Sequence, residues 1–157
     1  MPRNRAVAIV IHEGNLLTIF RKNIKGEYYV FPGGGIDPGE SSIDATVREA
    51  YEETSITVTP GKLVYETHHD NGDMHYFYLC EYVSGEPVLQ PETNEYRDIQ
   101  QGIDYYEPRW IPLSNLADTI LYPIEIRDQL IKDVANGFGE ETLHFDLKAM
   151  LKWKKRA

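Results

Sequence analysis

The chain of 157 residues has few cysteines, comparatively few basic residues and no long apolar segment. Its single cysteine, Cys80, cannot form a disulfide within the chain, which favours a reducing, cytoplasmic location. The apolar segments are far shorter than the roughly 20 residues of a membrane-spanning helix, so no membrane association is expected. Sixteen basic residues stand against 25 acidic ones, and the net charge is −9. This balance argues against long nucleic acid as a partner, because phosphate backbones attract basic surfaces.

Length and composition predict one globular domain. Hydrophobic residues make up 41% and charged residues 26% of the chain, which is ordinary for a folded protein of this size. A chain of this length can bury a sizeable core, and neither an internal repeat nor a linker divides it. Residues 1–157 are therefore expected to form a single domain in which about residues 140–157 are peripheral.

Residues 41–54 are predicted to form a helix with two different faces. Ser41 can cap its N-terminus, and Asp44, three residues later, completes a capping-box pattern. An apolar stripe that is expected to be buried consists of Ile43, Val47, Ala50 and Thr54. The other side carries Arg48, Glu49, Glu52 and Glu53. The spacing places the three carboxylates within about one turn of each other.

Three neighbouring carboxylates repel each other, and burial beside a core would raise their pKa values. A bound divalent cation removes this conflict. Ligands that are all oxygen atoms suit a hard cation, Mg²⁺ or Mn²⁺. A solvated charged face is the alternative interpretation of such a helix. The glycine-rich segment Phe31-Pro32-Gly33-Gly34-Gly35 before it favours the metal site, since glycines let backbone carbonyls and amides approach a metal and phosphates closely.

Residues 34–56, GGIDPGESSIDATVREAYEETSI, resemble the Nudix box, the signature of enzymes that hydrolyse a nucleoside diphosphate linked to another group. Glu40 and the segment that begins at Arg48 have the spacing of that box, and Ser55 stands where the family usually has glycine. The resemblance implies an α/β (α+β) fold, a Nudix-type α/β/α sandwich with a mixed β-sheet. It also implies hydrolysis of a pyrophosphate bond in a small nucleotide, with Mg²⁺ or Mn²⁺ as cofactor.

The resemblance further implies a role for each residue of the box. The carbonyl of Gly33 and the carboxylates of Glu49, Glu52 and Glu53 would bind metal, and Arg48 would hold Glu49 and Glu52 in place. Gly34, Gly35 and Glu40 would form the loop beside the phosphates. The predicted catalytic residues are Arg48, Glu49, Glu52 and Glu53, with Glu49 as one candidate base. A further acid is expected from the group Glu92, Glu95, Asp98, Asp104 and Glu107.

Ser55 is expected to change the end of the helix slightly without loss of catalysis. A glycine at this position usually takes the left-handed conformation that ends a helix. A serine there would cost roughly 1 kcal/mol, or the helix would end in another way.

The rest of the chain predicts a mixture of strands and helices. Strands are expected at residues 5–11, 15–22, 27–31, 57–67, 75–83 and 105–111, with a hairpin turn at Asn71-Gly72. A short helix is expected to begin near residue 112 and a longer one to cover residues 123–136, whereas residues 85–101 are predicted to be a long loop. His68, His69 and Asp70 either line the site, bind metal or form a polar strand end. Most aromatic residues in strands are expected in the core or on the surface of the sheet. The tyrosines that could instead stack on a base include Tyr76, Tyr78, Tyr105 and Tyr106.

Two other functions remain possible on such a fold. A non-catalytic nucleotide sensor would be expected to lose the box glutamates, which are present here. An isomerase acting on a prenyl diphosphate would need a catalytic cysteine early in the chain, whereas Cys80 lies in an apolar strand and is expected in the core. The short chain favours a nucleoside triphosphate or a small nucleotide conjugate as substrate. A homodimer is possible, although nothing in the sequence requires one.

Overall fold

The computed structural model describes residues 3–89, 102 and 104–148, and within them nine strands form one curled, mixed sheet. The strands are β1 Arg5–His12, β2 Asn15–Asn23, β3 Gly26–Val30, β4 Gly33–Gly35, β5 Thr57–His69, β6 Met74–Ser84, β7 Tyr105–Pro112, β8 Leu121–Tyr122 and β9 Leu143–Leu147. The helices are α1 Ser42–Thr54, a 3-10 helix Leu113–Asp118 and α2 Ile124–Asn136.

The strand order is β8-β3-β2-β1-β6-β5-β9, with β4 paired to β1 and β7 paired to β2. The pairs β1–β6, β3–β8 and β5–β9 are parallel, and the other pairs are antiparallel. β1 meets β2 only beside their connecting turn, where Ile11 lies opposite Leu16. Farther from the turn, β1 pairs with β4 and β6 while β2 pairs with β3 and β7, so the sheet curls.

The two faces of the sheet carry separate hydrophobic cores. Because side chains alternate along a strand, Ile9 of β1 packs into one core with Ile126 and Leu130 of α2, while Val10 packs into the other with Ala50 of α1. A helix therefore covers each face, and the predicted sandwich with a mixed sheet is confirmed.

Helix α1 begins as the sequence predicts, but its buried face is different. The Ser41 hydroxyl accepts a hydrogen bond from the Asp44 amide at 3.0 Å, which confirms the cap. Ile43, predicted to be buried, is 48% exposed, whereas Ala45 and Thr46 are almost fully buried. The small residues Ala45, Thr46 and Ala50 face the sheet and let the helix approach it closely. Compared with the predicted orientation, the helix is rotated about its axis. The side that carries the box carboxylates therefore lies closer to the sheet than predicted.

The predicted change at the end of α1 is wrong. Ser55 takes the left-handed conformation, with φ of 64°, and its amide donates to the Tyr51 carbonyl at 2.8 Å. Its hydroxyl donates to the Val88 carbonyl, a contact that a glycine could not make. The helix therefore ends as it would with a glycine, and the side-chain hydrogen bond offsets part of the conformational cost.

Three further features of the structure bear on predictions made from the sequence. Cys80 and Tyr78 are both buried in the core on the α1 side, so Cys80 is confirmed as a core residue and Tyr78 is excluded as a surface for stacking a base. Strand β9, which was not predicted from the sequence, pairs in parallel with β5 at the edge of the sheet. In the part of the chain that the structure describes, no helix is both long enough and apolar enough to cross a membrane.

Candidate active site

Strand β4 consists of three glycines that lie between β1 and helix α1. A Cβ atom on Gly33 would lie 2.6 Å from the backbone carbonyl oxygen of Ala6 on β1. A Cβ atom on Gly34 would overlap the carboxylate of Glu49 on α1. Gly33 is therefore required by its close approach to the backbone of β1, whereas a side chain at Gly34 would displace the carboxylate of Glu49.

Arg48 is the centre of the ionic network on α1. Its Nε donates to Glu40 Oε2 at 2.8 Å and its Nη2 to Glu40 Oε1 at 2.9 Å, a two-pronged contact. Its Nη1 donates to Glu49 at 2.6 Å and to Glu52 at 3.2 Å. Its Nη2 also reaches the Gly35 carbonyl at 2.9 Å. One guanidinium thus connects the glycine strand, the loop residue Glu40 and two helix carboxylates.

The network shifts the pKa values of its members in opposite directions. The hydrogen bonds from Arg48, assisted by the Asp37 amide, lower the pKa of Glu40 to about 2. The hydrogen bond to Glu40 raises the pKa of Arg48, against the opposing effect of burial, and Glu49 raises it further. Both groups are therefore charged across the whole physiological range of pH.

Glu53 lies on the other side of the same turn, against the glycine strand. Its carboxylate accepts a hydrogen bond from the Gly33 amide at 2.8 Å. The carbonyl of Gly33 faces a different partner, because Arg5 Nη2 donates to it at 3.4 Å. Arg5 was missed at the sequence level. Only the pairing of β1 with β4, which is not a local signal, brings it to this glycine.

The oxygen atoms that the sequence selects as metal ligands are thus close together in the fold. Glu49 has 14% of its side chain exposed and Glu52 has 47%, so solvent and ligands reach the cluster from the Glu52 side. The donor set consists of carboxylate and carbonyl oxygens alone, which fits Mg²⁺ or Mn²⁺ and does not fit a soft metal. The assignment of Gly33, Glu49, Glu52 and Glu53 as ligands remains a prediction.

A further acid was predicted to reach the metal site from a group of five residues. The structure describes two of them, Asp104 and Glu107, and each is paired with an arginine. Asp104 lies 3.8 Å from Arg21 Nη2, and Glu107 lies 2.9 Å from Arg109 Nε. The Arg109 contact lowers the pKa of Glu107. The other three candidates, Glu92, Glu95 and Asp98, lie outside the described residues, as does most of the predicted long loop.

Arginines and aromatic rings alternate on the neighbouring strands β2, β3 and β7. The guanidinium of Arg21 lies 5.4 Å from the ring centre of Tyr28 and 4.5 Å from that of Tyr106, and Arg109 lies 4.1 Å from the ring centre of Phe20. Tyr106 therefore already has a stacking partner. The sequence alone does not predict these arginine contacts, because those between β2 and β7 join residues more than 80 positions apart.

The two histidines at the end of β5, His68 and His69, have different partners. His69 contacts the Thr67 hydroxyl at 2.9 Å, and its ring lies 4.1 Å from that of His75. His68 contacts Glu66 at 3.0 Å. Asp70 lies in the exposed turn before β6. His68 and His69 of the predicted group therefore contact different side chains, Glu66 and Thr67.

Comparisons with known proteins agree with the fold. The chain matches the NUDIX domain family over residues 2–129. The 8-oxo-dGTP diphosphatase of Escherichia coli K12 is 35% identical over 88 residues, which cover 52% of this chain and 68% of that protein. A NUDIX hydrolase from Nitrosomonas europaea has a similar structure, with a TM-score of 0.70, 16% identity and coverage of 94% of this chain and 80% of that one. An ADP-ribose pyrophosphatase from Streptococcus suis gives a TM-score of 0.65 at 22% identity, with 93% and 100% coverage.

Proposed function

Because this chain belongs to the NUDIX family and is a pyrophosphohydrolase of nucleotide substrates, we propose that it hydrolyses a nucleoside triphosphate or a small nucleotide conjugate with the help of Mg²⁺ or Mn²⁺. One observation carries the proposal: Arg48 gathers Glu40, Glu49 and Glu52 beside the glycine strand, and Glu53 reaches the same strand from the next position. A non-catalytic sensor would not need so many carboxylates held together at a cost in repulsion.

The residues of the site divide the work of the proposed reaction. Glu49, Glu52, Glu53 and the Gly33 carbonyl would hold the cation, which would supply charge neutralisation for the pyrophosphate and lower the pKa of a water. Arg48 fixes the orientation of Glu49 and Glu52. Glu49, as one candidate base, accepts a proton from the attacking water. The water oxygen forms a bond to one phosphorus, the bridging P–O bond breaks, and a triphosphate yields a nucleoside monophosphate and pyrophosphate.

A nucleoside triphosphate is the substrate that we place first. The relative with 35% identity is an 8-oxo-dGTP diphosphatase, which favours a purine triphosphate, including an oxidised one. ADP-ribose is the second candidate, since a structural neighbour is an ADP-ribose pyrophosphatase.

The first test is hydrolysis of a panel of compounds with Mg²⁺ or Mn²⁺ at mildly alkaline pH, with the products identified. The panel holds nucleoside triphosphates, 8-oxo-dGTP, ADP-ribose, a nucleotide sugar and a dinucleoside polyphosphate.

The carboxylate assignment is tested with Glu52→Gln and Glu53→Gln in the same assay. Each variant is expected to stay folded and to lose at least about 100-fold in kcat, since even a partner outside the ligand shell is typically worth 10- to 100-fold. Glu140→Gln, an exposed residue outside the cluster, is the matched control and is expected to keep wild-type activity. Wild-type turnover in Glu53→Gln at saturating Mg²⁺ would refute the assignment. Nucleotide binding without turnover of any compound would favour the sensor.

A further inference from the structure

A second group of metal-ligating side chains lies at the edge of the sheet, on elements that the box does not use. Glu66 and His68 are two residues apart on β5, and His144 lies directly opposite Glu66 on the parallel strand β9. Tyr65 and Thr67, which alternate with them, are fully buried. The three side chains therefore project from the opposite face of the two strands. We propose that Glu66, His68 and His144 form a binding site for Zn²⁺ or a similar borderline transition metal.

The distances between the three ligand atoms fit such an ion. Glu66 Oε1 lies 3.0 Å from His68 Nε2 and 3.5 Å from His144 Nδ1, and the two histidine nitrogens are 3.4 Å apart. Ligands that surround Zn²⁺ tetrahedrally at about 2.0–2.2 Å are about 3.3–3.6 Å from each other. The side chains thus already stand close to the spacing of three corners of a tetrahedron, and binding requires shifts of only a few tenths of an ångström.

The chemistry of the donors separates this site from the box. Two imidazoles and one carboxylate suit Zn²⁺ and other first-row transition metals, whereas the all-oxygen box suits Mg²⁺ or Mn²⁺. Asp146 lies opposite His68 in the strand register and adds negative charge to the same edge. Excess Mg²⁺ can therefore fill the box without competing for the edge site.

The three ligand side chains are partly exposed, so a fourth ligand can reach the ion from solvent. Glu66 is the most enclosed, with 14% of its side chain exposed, and His68 and His144 are 39% and 60% exposed. Water can therefore complete the coordination from the solvent side. Because the ligands come from two strands, the ion would link β9 to β5 and stabilise the edge of the sheet.

The test is titration of the full-length, metal-free chain with Co²⁺ in excess Mg²⁺, followed by displacement with Zn²⁺. A tetrahedral Co²⁺ site absorbs strongly in the visible range, and Zn²⁺ is expected to remove this absorption. His144→Ala and His68→Ala are expected to weaken Zn²⁺ binding by at least about 100-fold, since loss of even an outer-shell partner costs 10- to 100-fold. His12→Gln, a histidine of β1, and Glu53→Gln are matched controls and are expected to bind within about twofold of wild type.

Amide hydrogen exchange gives a second measurement, which locates the bound Zn²⁺ in the fold. Zn²⁺ is expected to slow exchange in β9, Leu143–Leu147, in the wild-type chain and to have no effect in His144→Ala. Wild-type Zn²⁺ affinity in His144→Ala, or loss of binding in Glu53→Gln instead, would overturn the proposal. Neither result depends on nucleotide hydrolysis, so the edge site stands or falls separately from the proposed function.

Discussion

At the scale of single residues, Arg48 connects several parts of the candidate site. Its nitrogens contact oxygens of Gly35, Glu40, Glu49 and Glu52. This depends on the planar fork of the guanidinium, because a lysine ammonium cannot contact both Glu40 oxygens and both helix carboxylates in the same geometry.

Arg48→Lys is therefore expected to keep the charge and lose the geometry. We expect kcat to fall by about 10- to 100-fold and the Mg²⁺ concentration for half-maximal activity to rise, since Glu49 and Glu52 lose their common support. Arg127→Lys on α2, which removes an arginine paired with neighbouring Asp128, is the matched control. Steady-state kinetics at varied Mg²⁺ concentration measure both effects. An unchanged Mg²⁺ dependence in Arg48→Lys would contradict the positioning role.

Glu40 makes stability depend on pH in a defined acidic window. Its pKa in the folded chain is about 2, below the ordinary value of 4.5. The lowered pKa means that Glu40 stabilises the fold fully above about pH 4.5 and that this contribution is lost as the pH falls toward about 2. Urea unfolding across this window is expected to show a steeper loss of stability in the wild type than in Glu40→Gln. Equal slopes in the two proteins would show that the Arg48 contact does not contribute to stability.

Residue identities in the site could be predicted because the signal is local. The cap at Ser41, the positions of Arg48 and Glu53 and the glycines of β4 all lie within one continuous segment. Arg5 and Arg109 could not be assigned in this way. Arg5 depends on the pairing of β1 with β4, and the contact of Arg109 with Tyr29 depends on β7 lying beside β2.

At the scale of elements, strand β4 has different neighbours on its two sides. A side chain on Gly33 would meet the backbone of β1, whereas one on Gly34 would meet the movable carboxylate of Glu49. The same substitution should therefore have different consequences at adjacent positions.

Gly33→Ala is expected to lower the free energy of unfolding by about 1–3 kcal/mol, the usual cost of overpacking. Gly34→Ala is expected to cost less stability and to lower kcat strongly, because Glu49 must move. Thermal unfolding and steady-state kinetics of both variants separate the two effects. Gly139→Ala, where an added Cβ has open space, is the control. Full activity in Gly34→Ala would show that the position of Glu49 is not critical.

The elements themselves were predicted with differing success for physical reasons. The strands with dense apolar patterns and the capped helix α1 are where the sequence places them. β9 was missed although Leu143-His144-Phe145-Asp146-Leu147 alternates apolar and polar residues, because the segment is short and its partner β5 lies far away in the sequence. The buried stripe of α1 was misplaced at Ile43, since hydrophobicity favours isoleucine whereas close packing against the sheet selects Ala45 and Thr46.

At the scale of the whole molecule, the cation is expected to stabilise the fold by mass action. Mg²⁺ at 100 times its dissociation constant would add about 2.7 kcal/mol to the free energy of unfolding. For a chain of this size, that raises Tm by about 5–10 °C. Scanning calorimetry with Mg²⁺, against NaCl at equal ionic strength, measures the shift. The shift in Tm is expected to be smaller in Glu53→Gln, and an equal shift in that variant would place the stabilising cation elsewhere.

The cytoplasmic location and the homodimer remain predictions.

The central position of β1 has a consequence for how the chain is made. Ala6 of β1 pairs in parallel with Tyr76 of β6. The pairing of β1 with β6 therefore cannot form until the middle of the chain has been synthesised. Partners that lie far apart in sequence also slow folding in general. Until β6 has been synthesised, β1 is thus an apolar segment whose edge toward β6 is open. During that interval, it is the part of the nascent protein that most needs protection from pairing with other chains.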